Sequence, residues 1–233
     1  MVPKIGNTIV VIPSYNEAKT IGFIVRDLVE MGMSVLVVDD GSIDATERIA
    51  LDSGAMVIRH TRNLGKGYSI RRGVEYVANK TKFEWVVLMD GDGQHHTEDI
   101  LPLMEGAREG DVDMVTGNRM QYTENMPIIR YLTNRFTSFI ISSMCHQAIP
   151  DTQCGYRLVK AGALEQLKLE SARYDVESEM LIKAARCGLK IRSVPVQTIY
   201  GDETSEINPV RDTIRFFYLV VRYKVGSIFK KNK

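Results

Sequence analysis

The sequence predicts an α/β protein in which helices flank a Rossmann-like, mostly parallel sheet. Short runs that are apolar at consecutive positions, such as 9–12, 35–38 and 86–89, are typical of strands buried on both faces of a parallel sheet. They alternate with segments whose apolar residues recur at helical spacing, which favours right-handed strand–helix–strand crossovers. Acidic or polar residues follow several of these runs, and ligands of open α/β sheets bind at the carboxyl ends of strands. We therefore expect a single domain with a ligand site along that edge.

The composition fits one globular domain and argues against a nucleic-acid-binding protein. The chain has 233 residues, of which 44 % are hydrophobic, and its 30 basic residues nearly balance 29 acidic ones. Its three cysteines lie far apart and lack metal-binding spacing, so we expect reduced thiols in a cytosolic protein. We see neither a secretory signal nor an apolar run of the ~20 residues needed to span a bilayer. The expected location is therefore cytoplasmic.

The first half of the chain predicts five strands separated by four helices. Pro13 ends the first strand. Ile21, Val25 and Leu28 then lie on one face of a helix. Asp44 can cap the second helix. The predicted strands are 8–12, 34–38, 56–60, 86–89 and 113–116, and the predicted helices are 19–31, 44–51, 68–79 and 100–109.

The second half of the chain contains one long apolar segment of helical periodicity. Residues 127–149 hold no acidic residue, and Leu132, Phe136 and Phe139 repeat at helical spacing. Such a stripe either packs on the core or lies in a membrane interface near a lipid. Beyond it, the predicted strands are 157–159 and 191–199, and the predicted helices are 161–167 and 176–187.

The central feature of the sequence is the stretch 85–94, in which a buried strand ends in two carboxylates separated by one glycine. Asp90, Asp92 and Gln94 offer hard oxygen ligands of the kind that Mg²⁺ and Mn²⁺ prefer. The glycines between them let the backbone turn sharply beside a ligand. Taken alone, the pattern equally fits an ordinary Asp-Gly turn. Its neighbours along the chain favour a metal site for a diphosphate.

Three further loops at predicted strand ends carry candidate ligand groups. Asp39 and Asp40 can hydrogen-bond a base or a ribose, unless one of them only caps the next helix. Lys66 lies between two glycines at a helix start, which suits a phosphate but also fits an ordinary loop. Arg119 follows the fifth strand and can bind a diphosphate through two parallel hydrogen bonds.

Six motifs stand in order along the chain and together resemble those of family 2 glycosyltransferases with the GT-A fold. They are Val-Ile-Pro-Ser-Tyr-Asn-Glu17, Val-Asp-Asp-Gly-Ser-Ile-Asp44, Asn-Leu-Gly-Lys-Gly67, Asp-Gly-Asp-Gly-Gln94, Gly-Asn-Arg119 and Asp-Thr-Gln-Cys-Gly-Tyr-Arg157. Within that family the chain looks most like dolichyl- or polyprenyl-phosphate mannose or glucose synthases. The resemblance covers roughly residues 5–200, and its first four motifs are the most specific.

The resemblance implies donor-binding roles for the matching positions. Pro13, Tyr15 and Glu17 match the loop that holds the nucleotide base and ribose. Asp40 matches the acidic residue that contacts the base, and Lys66 falls in the loop near the base and the phosphates.

The resemblance also implies where the metal and the chemistry lie. Asp90, Asp92 and Gln94 match the motif that binds the metal and the diphosphate, and Asp92 and Gln94 are the expected direct ligands. Arg119 matches an arginine near the donor phosphates or the acceptor phosphate. Asp92 and Arg119 are therefore the predicted catalytic residues, with Mg²⁺ or Mn²⁺ as cofactor.

The implied reaction is inverting transfer of a hexosyl group from GDP-mannose or UDP-glucose to a polyprenyl phosphate. A lipid phosphate has a second pKa of about 6, so it is ionised near neutral pH and needs no general base. The alternative acceptor, a sugar hydroxyl, would need a carboxylate base. Asp175, Glu177 and Glu179 are the candidates, although an acidic helix start explains two of the three. A protein that binds nucleotide-sugars without turnover is a further alternative.

The acceptor side carries basic residues near apolar ones. Arg130, Arg135 and Arg211 are candidates for the acceptor phosphate. The tail 211–233 has seven basic residues and one acidic residue around an aromatic, apolar run. This is typical of a peripheral membrane-surface anchor, although a docked helix with a basic end also fits. We expect a GT-A domain at 1–205, with a nucleotide-sugar half at about 5–119 and an acceptor half at about 120–205, followed by a basic amphipathic segment at 206–233 on the cytoplasmic membrane face.

Overall fold

A computed structural model describes residues 2–124, 126–173, 175–199 and 209–230. Within the last range, side chains are described at 214–224. The side chain of Arg211, a predicted acceptor-phosphate ligand, therefore lies outside the described residues, as do the first residues of the predicted segment 206–233.

One seven-stranded sheet runs through the molecule. Its strands are β1 (Thr8–Ser14), β2 (Ser34–Asp39), β3 (Met56–Arg59), β4 (Trp85–Leu88), β5 (Met114–Asn118), β6 (Arg157–Lys160) and β7 (Ile191–Pro195). Their order across the sheet is β3-β2-β1-β4-β6-β5-β7. Every neighbouring pair is parallel except those of β6, which runs antiparallel between β4 and β5. The predicted mostly parallel α/β sheet is confirmed.

Helices cover both faces of this sheet. They are α1 (Ile21–Glu30), α2 (Thr46–Asp52), α3 (Lys66–Lys80), α4 (Ile100–Arg108), α5 (Ile128–Cys145), α6 (Ala161–Gln166), α7 (Val176–Arg186) and α8 (Pro209–Lys230). Ile9 and Val11 of β1 face a core shared with α3 and with α5 to α8. Val10 and Ile12 face a second core shared with α1, α2 and α4. Because both faces are covered, consecutive strand residues are all apolar.

The parallel strands deliver three of the predicted motifs to the same edge of the sheet. Ser14 at the end of β1 lies beside Asp39 of β2, and Val11 lies beside Leu88 of β4. The loops that follow β1, β2 and β4 are therefore neighbours. The loops of the ligand site predicted from the sequence therefore lie together at one edge of the sheet.

Helix α5 buries polar as well as apolar side chains. Asn134 and Ser138 are buried beside Ile141, whereas Leu132, Phe136 and Phe139 are exposed. The apolar stripe therefore packs on the core only at its C-terminal end, through Ile140 and Met144. Among the helices of the described residues, none is long and apolar enough to cross a membrane.

Candidate active site

Lys66 lies between two carboxylates at the centre of the site. Its Nζ is 2.6 Å from Oδ1 of Asp90, which follows β4, and 2.5 Å from Oε1 of Glu177, in the first turn of α7. Gly65 precedes it with φ of +100°, and a Cβ there would lie 2.3 Å from the carbonyl oxygen of Ala172. Only glycine fits this close approach. Three separate elements thus converge on one ammonium group.

The electrostatics of this cluster keep its members charged. Burial disfavours the ammonium of Lys66, but the charges of Asp90 and Glu177 raise the pKa of Lys66 well above its ordinary value. Burial likewise disfavours ionised Asp90, yet Lys66 and His95 lower the pKa of Asp90 well below its usual range. At neutral pH the site therefore holds a fixed cation beside a fixed carboxylate.

Asp92 and Gln94 provide the remaining groups of the predicted metal motif. Burial, followed by the charge of Asp90, raises the pKa of Asp92. The backbone N–H of Gln94 donates to Asp92 Oδ1 at 2.9 Å and orients that carboxylate. In the described part of the chain no three His, Cys, Asp or Glu side chains come together as a metal cluster. The candidate metal ligands are therefore the carboxylates of Asp90 and Asp92, which repel each other, and the amide oxygen of Gln94. Such hard oxygen ligands fit Mg²⁺ or Mn²⁺.

Among the described residues, several buried polar atoms at this edge have no hydrogen-bond partner. They include Ser14 Oγ, His60 Nε2 and His95 Nδ1. Most buried polar atoms in proteins have a partner, so a group of such atoms at strand ends is typical of a ligand site. Neither histidine is among the site residues predicted from the sequence.

Asp40 uses both of its carboxylate oxygens to hold the loop that leads to α3. It is 3 % exposed. Its Oδ1 accepts the backbone N–H of Leu64 at 2.9 Å and lies 2.8 Å from His60 Nδ1. Its Oδ2 accepts the backbone N–H of Gly65 at 2.7 Å. The predicted contact of Asp40 with a base stays a prediction, and its observed role is to shape the loop that presents Lys66.

The loop after β1 is braced against the loop after β2. Pro13, Tyr15 and Glu17 are all half-buried there. Between them, Asn16 has a left-handed backbone with φ of 57°. Its backbone N–H donates to Ser42 Oγ at 2.9 Å, and its side-chain oxygen accepts the N–H of residue 43 at 2.9 Å. This bracing gives the loop a defined shape, while its role in holding a base and ribose stays a prediction.

Arg119 is buried against Asp151 rather than directed at open solvent. Its Nε donates to Asp151 Oδ2 at 2.7 Å and its Nη2 donates to Oδ1 at 3.0 Å. Burial disfavours the cation, but the charge of Asp151 raises the pKa of Arg119 above its ordinary value. This fork-to-fork pair shapes the start of the loop that leads into β6. Whether Arg119 reaches a phosphate stays a prediction.

The two other described arginines of the predicted acceptor site lie on α5. Arg130 is half-buried and Arg135 is exposed. The guanidinium of Arg135 donates to the hydroxyl of Tyr131 at 2.9 Å and lies 5.7 Å from the centre of its ring. Arg135 borders the exposed apolar side of α5, whereas Arg130 lies on the side of the helix that carries the buried Asn134 and Thr137.

The loop 151–156 forms a wall of the site. From the sequence, this loop was predicted only as a motif. Arg157, 1 % exposed, donates to the carbonyl oxygens of Thr152, Cys154 and Glu177. It thereby joins this loop to α7. A Cβ on Gly155 would lie 2.7 Å from an oxygen of Asp90. The sequence signal was the motif that ends in Arg157, but its position opposite Asp90 depends on the antiparallel strand β6.

Comparisons with known proteins identify relatives of this arrangement. The sequence profile described as Glycosyl transferase family 2 matches residues 9–168. Uncharacterized protein MJ1222 of Methanocaldococcus jannaschii is 36 % identical over 83 % of this chain and 82 % of its own. Glycosyltransferase AglJ of Haloferax volcanii is 32 % identical over 92 % of this chain and 71 % of its own. UDP-N-acetylglucosamine–dolichyl-phosphate N-acetylglucosaminyltransferase of Methanococcus voltae is 29 % identical over 94 % of this chain and 96 % of its own.

Solved structures share the fold. Glucosyl-3-phosphoglycerate synthase of Mycobacterium tuberculosis, in complex with phosphoglyceric acid, matches with a TM-score of 0.71 and 20 % identity over 94 % of this chain and 79 % of that chain. The same enzyme in complex with Mn²⁺, uridine diphosphate and glucosyl-3-phosphoglycerate matches with a TM-score of 0.70 over the same shares, again at 20 % identity. The GT-A fold expected from the motifs is confirmed.

Proposed function

Because the chain belongs to glycosyl transferase family 2 and is therefore a glycosyltransferase, we propose that it transfers a hexosyl group from a nucleotide-sugar to a polyprenyl phosphate. The transfer inverts the anomeric carbon and depends on Mg²⁺ or Mn²⁺. The observation that carries the proposal is the strand-end pair Asp90 and Asp92 beside the buried ammonium of Lys66. A diphosphate with a divalent cation is the ligand class that such an arrangement suits.

The roles follow from the charges of the described residues. Asp90, Asp92 and Gln94 would hold the cation, which when bound supplies Lewis-acid stabilisation of the departing diphosphate. Lys66 stays cationic because it is held by Asp90 and Glu177, and exchange of one of these partners for a phosphate oxygen would bring it to the donor. Pro13, Tyr15, Glu17 and Asp40 form or shape the loops proposed for the base and ribose.

A phosphate acceptor is supported over a sugar hydroxyl, because a hydroxyl acceptor would need a general base. The carboxylate of Glu177, a candidate of the predicted base set, is engaged in an ion pair with Lys66. Glu179 accepts hydrogen bonds from the N–H groups of Glu170 and Ser171. An ionised phosphate needs no base. The Methanococcus voltae relative, whose name gives dolichyl phosphate as its acceptor, supports the same choice.

We further propose that residues 5–119 hold the donor, that residues 120–205 form the acceptor side, and that the segment 206–233 contacts the cytoplasmic membrane face. Arg119, Arg130, Arg135 and Arg211 are proposed for the acceptor phosphate. Arg119 would have to exchange its pairing with Asp151 in order to do so.

The test is the mass of the product. Purified protein is incubated with a short polyprenyl phosphate, Mg²⁺ or Mn²⁺, and GDP-mannose, UDP-glucose or, as the relative suggests, UDP-N-acetylglucosamine. We expect a lipid phosphate that is heavier by one sugar with one of these donors, and no product after chelation of the metal. Release of nucleoside diphosphate only when a soluble saccharide is added would instead favour the hydroxyl-acceptor alternative. Binding of all donors without turnover would contradict both.

A further inference from the structure

We propose that α5 and α8 together form a surface that docks on a bilayer containing anionic phospholipids. This α5–α8 surface consists of the exposed side chains Ile129, Leu132, Phe136 and Phe139 of α5 and Ile214, Phe217, Tyr218 and Val221 of α8. The inference deepens the proposed function and rests on it in one respect: a polyprenyl phosphate acceptor is held in a membrane, so its enzyme must approach one.

The first observation is that α5 exposes large apolar side chains while it buries polar ones on its inner side. Leu132, Phe136 and Phe139 are 58 %, 54 % and 75 % exposed, whereas Asn134 and Ser138 are 5 % and 4 % exposed. A surface helix in water normally buries its apolar side chains and exposes its polar ones. Contiguous exposed apolar side chains of this size mark a site that another apolar phase covers.

The second observation is that α8 continues the same surface. One side of α8 is docked on the domain, because Leu219 is 2 % exposed and the hydroxyl of Tyr223 donates to Glu179 at 3.1 Å. The other side exposes apolar and aromatic side chains. The ring centres of Phe217 and Phe136 lie 6.4 Å apart, so the two helices meet at their exposed sides. Two helices thus present one apolar surface.

The third observation is the positive charge around this surface, which favours an anionic bilayer as its occupant. Helix α5 contains no acidic residue, and Arg135 flanks its exposed apolar side. Arg215 of α8 lies beside Ile214. Basic residues around an apolar helix face complement anionic headgroups. In a symmetric contact with a second copy, the same basic surface would instead face itself.

The α5–α8 surface is joined to the active site through the loop 151–156. The inner side of α5 holds the loop 151–156, since Ser138 Oγ accepts the backbone N–H of Thr152 at 2.9 Å. In the same loop, Gly155 packs against Asp90 and Lys66. A bilayer on the outer side of α5 would therefore lie on the acceptor side of the site, where a membrane-held phosphate must arrive.

The experiment measures binding of the full-length protein to vesicles in the absence of any substrate. Vesicles of phosphatidylcholine with phosphatidylglycerol are compared with vesicles of phosphatidylcholine alone in a flotation assay. The test variant is Phe136→Ser/Phe139→Ser, and the matched control is Phe23→Ser, because Phe23 on α1 is also exposed, at 66 %, but lies on another surface. Thermal unfolding and sedimentation velocity are recorded for each protein.

We expect the wild type and Phe23→Ser to float with the anionic vesicles, and expect the double variant to bind at least about tenfold more weakly, because it removes two aromatic anchors. Added salt should weaken the binding that remains. Absence of wild-type binding, or equal binding of the double variant, would overturn the proposal. A wild-type dimer that the double variant abolishes, without vesicle binding, would assign the surface to self-association instead.

This readout is independent of the proposed reaction. Vesicle binding without any sugar transfer to lipid would support the proposed docking surface and contradict the proposed acceptor. Transfer to a short, water-soluble polyprenyl phosphate without vesicle binding would retain the reaction and remove the docking surface.

Discussion

Among single residues, the carboxylates that follow β2 and β4 lie at the same edge of the sheet but have different partners. Asp40 accepts two backbone N–H groups and contacts His60, so its charge is used to shape a loop. Asp90 faces the ammonium of Lys66 and repels Asp92. A carboxylate whose partners are backbone groups is structural in this setting, whereas one whose neighbours are charged side chains can exchange them for a ligand.

Asp92→Asn is expected to abolish transfer while leaving the fold intact. The amide keeps the shape of the side chain but removes the charge that would hold a divalent cation, so we expect turnover to fall at least about a hundredfold. Initial rates at saturating donor with Mn²⁺ measure this, and thermal unfolding checks the fold. Glu98→Gln is the control, because Glu98 is a nearby exposed carboxylate. Full activity of Asp92→Asn would remove Asp92 from the metal site.

Gly155→Ala is expected to impair the site more than the fold. Its new Cβ would lie 2.7 Å from Asp90 Oδ2 and 3.1 Å from Lys66 Nζ, both at the ends of side chains that can move. We therefore expect a turnover roughly tenfold lower with a change of no more than about 1 kcal/mol in the free energy of unfolding. Steady-state kinetics and urea unfolding measure the two effects. Gly162→Ala is the control, since nothing lies within 4 Å of its added Cβ.

At the scale of secondary-structure elements, α5 shows that an apolar stripe predicts a helix but not the direction in which the stripe faces. The periodicity of the sequence correctly predicted a helix in this segment. Which of its side chains face inward, however, depends on their contacts with the rest of the folded protein. Ser138 and Thr152 hydrogen-bond to each other, and Ser142 bonds to the backbone of Ile149. These polar contacts satisfy the loop that follows α5, and they lie on the same inward side as the core residues Ile141 and Cys145.

We expect Ser138→Ala, on the buried side of α5, to lower the free energy of unfolding more than Phe139→Ser, on its exposed side. Ser138→Ala removes the acceptor of the buried Thr152 N–H, so it should lower the free energy of unfolding by about 1–3 kcal/mol. Phe139→Ser alters a side chain that is 75 % exposed, so its effect should stay within about 0.5 kcal/mol. Urea unfolding of both variants measures this difference. The reverse ranking would mean that Phe139, and not Ser138, faces the core in solution.

At the scale of the whole molecule, the antiparallel strand β6 completes the active site. It enters the sheet between β4 and β5 and brings the preceding loop 151–156 to the edge where Asp90 lies. The buried pair Arg119–Asp151 and the three carbonyl contacts of Arg157 hold this loop in place. Breaking a buried ion pair of this kind typically costs about 3–5 kcal/mol. The loop is therefore part of the fold as well as of the site.

The contribution of Asp151 to stability is expected to disappear in acid. Burial acts to raise the pKa of Asp151, but the charge and hydrogen bonds of Arg119 outweigh burial, and the pKa is lowered. An aspartate has a pKa of about 3.9 in an unfolded chain. The carboxylate therefore stabilises the fold fully above about pH 4, and this stabilisation is lost as the pH falls through the lower folded-state pKa.

The measurement is the difference in the free energy of unfolding between the wild type and Asp151→Asn, from pH 7 downwards. This difference should be largest at neutral pH and should shrink below about pH 4. Asp52→Asn, which alters an exposed carboxylate on α2, is the control and should differ little from the wild type throughout. A difference between wild type and Asp151→Asn that is constant with pH would contradict the assigned role of the ion pair.

The order of strands and helices and the placement of Asp90 and Asp92 after a buried strand could be predicted from the chain, because periodicity and strand-end chemistry are local properties. The partners of the site residues depend on how distant elements pack. Lys66 and Glu177 are 111 residues apart in the chain, and their pairing depends on where α3 and α7 pack. The antiparallel direction of β6, the burial of Arg119 against Asp151 and the outward apolar side of α5 likewise depend on long-range contacts, which a local pattern does not encode.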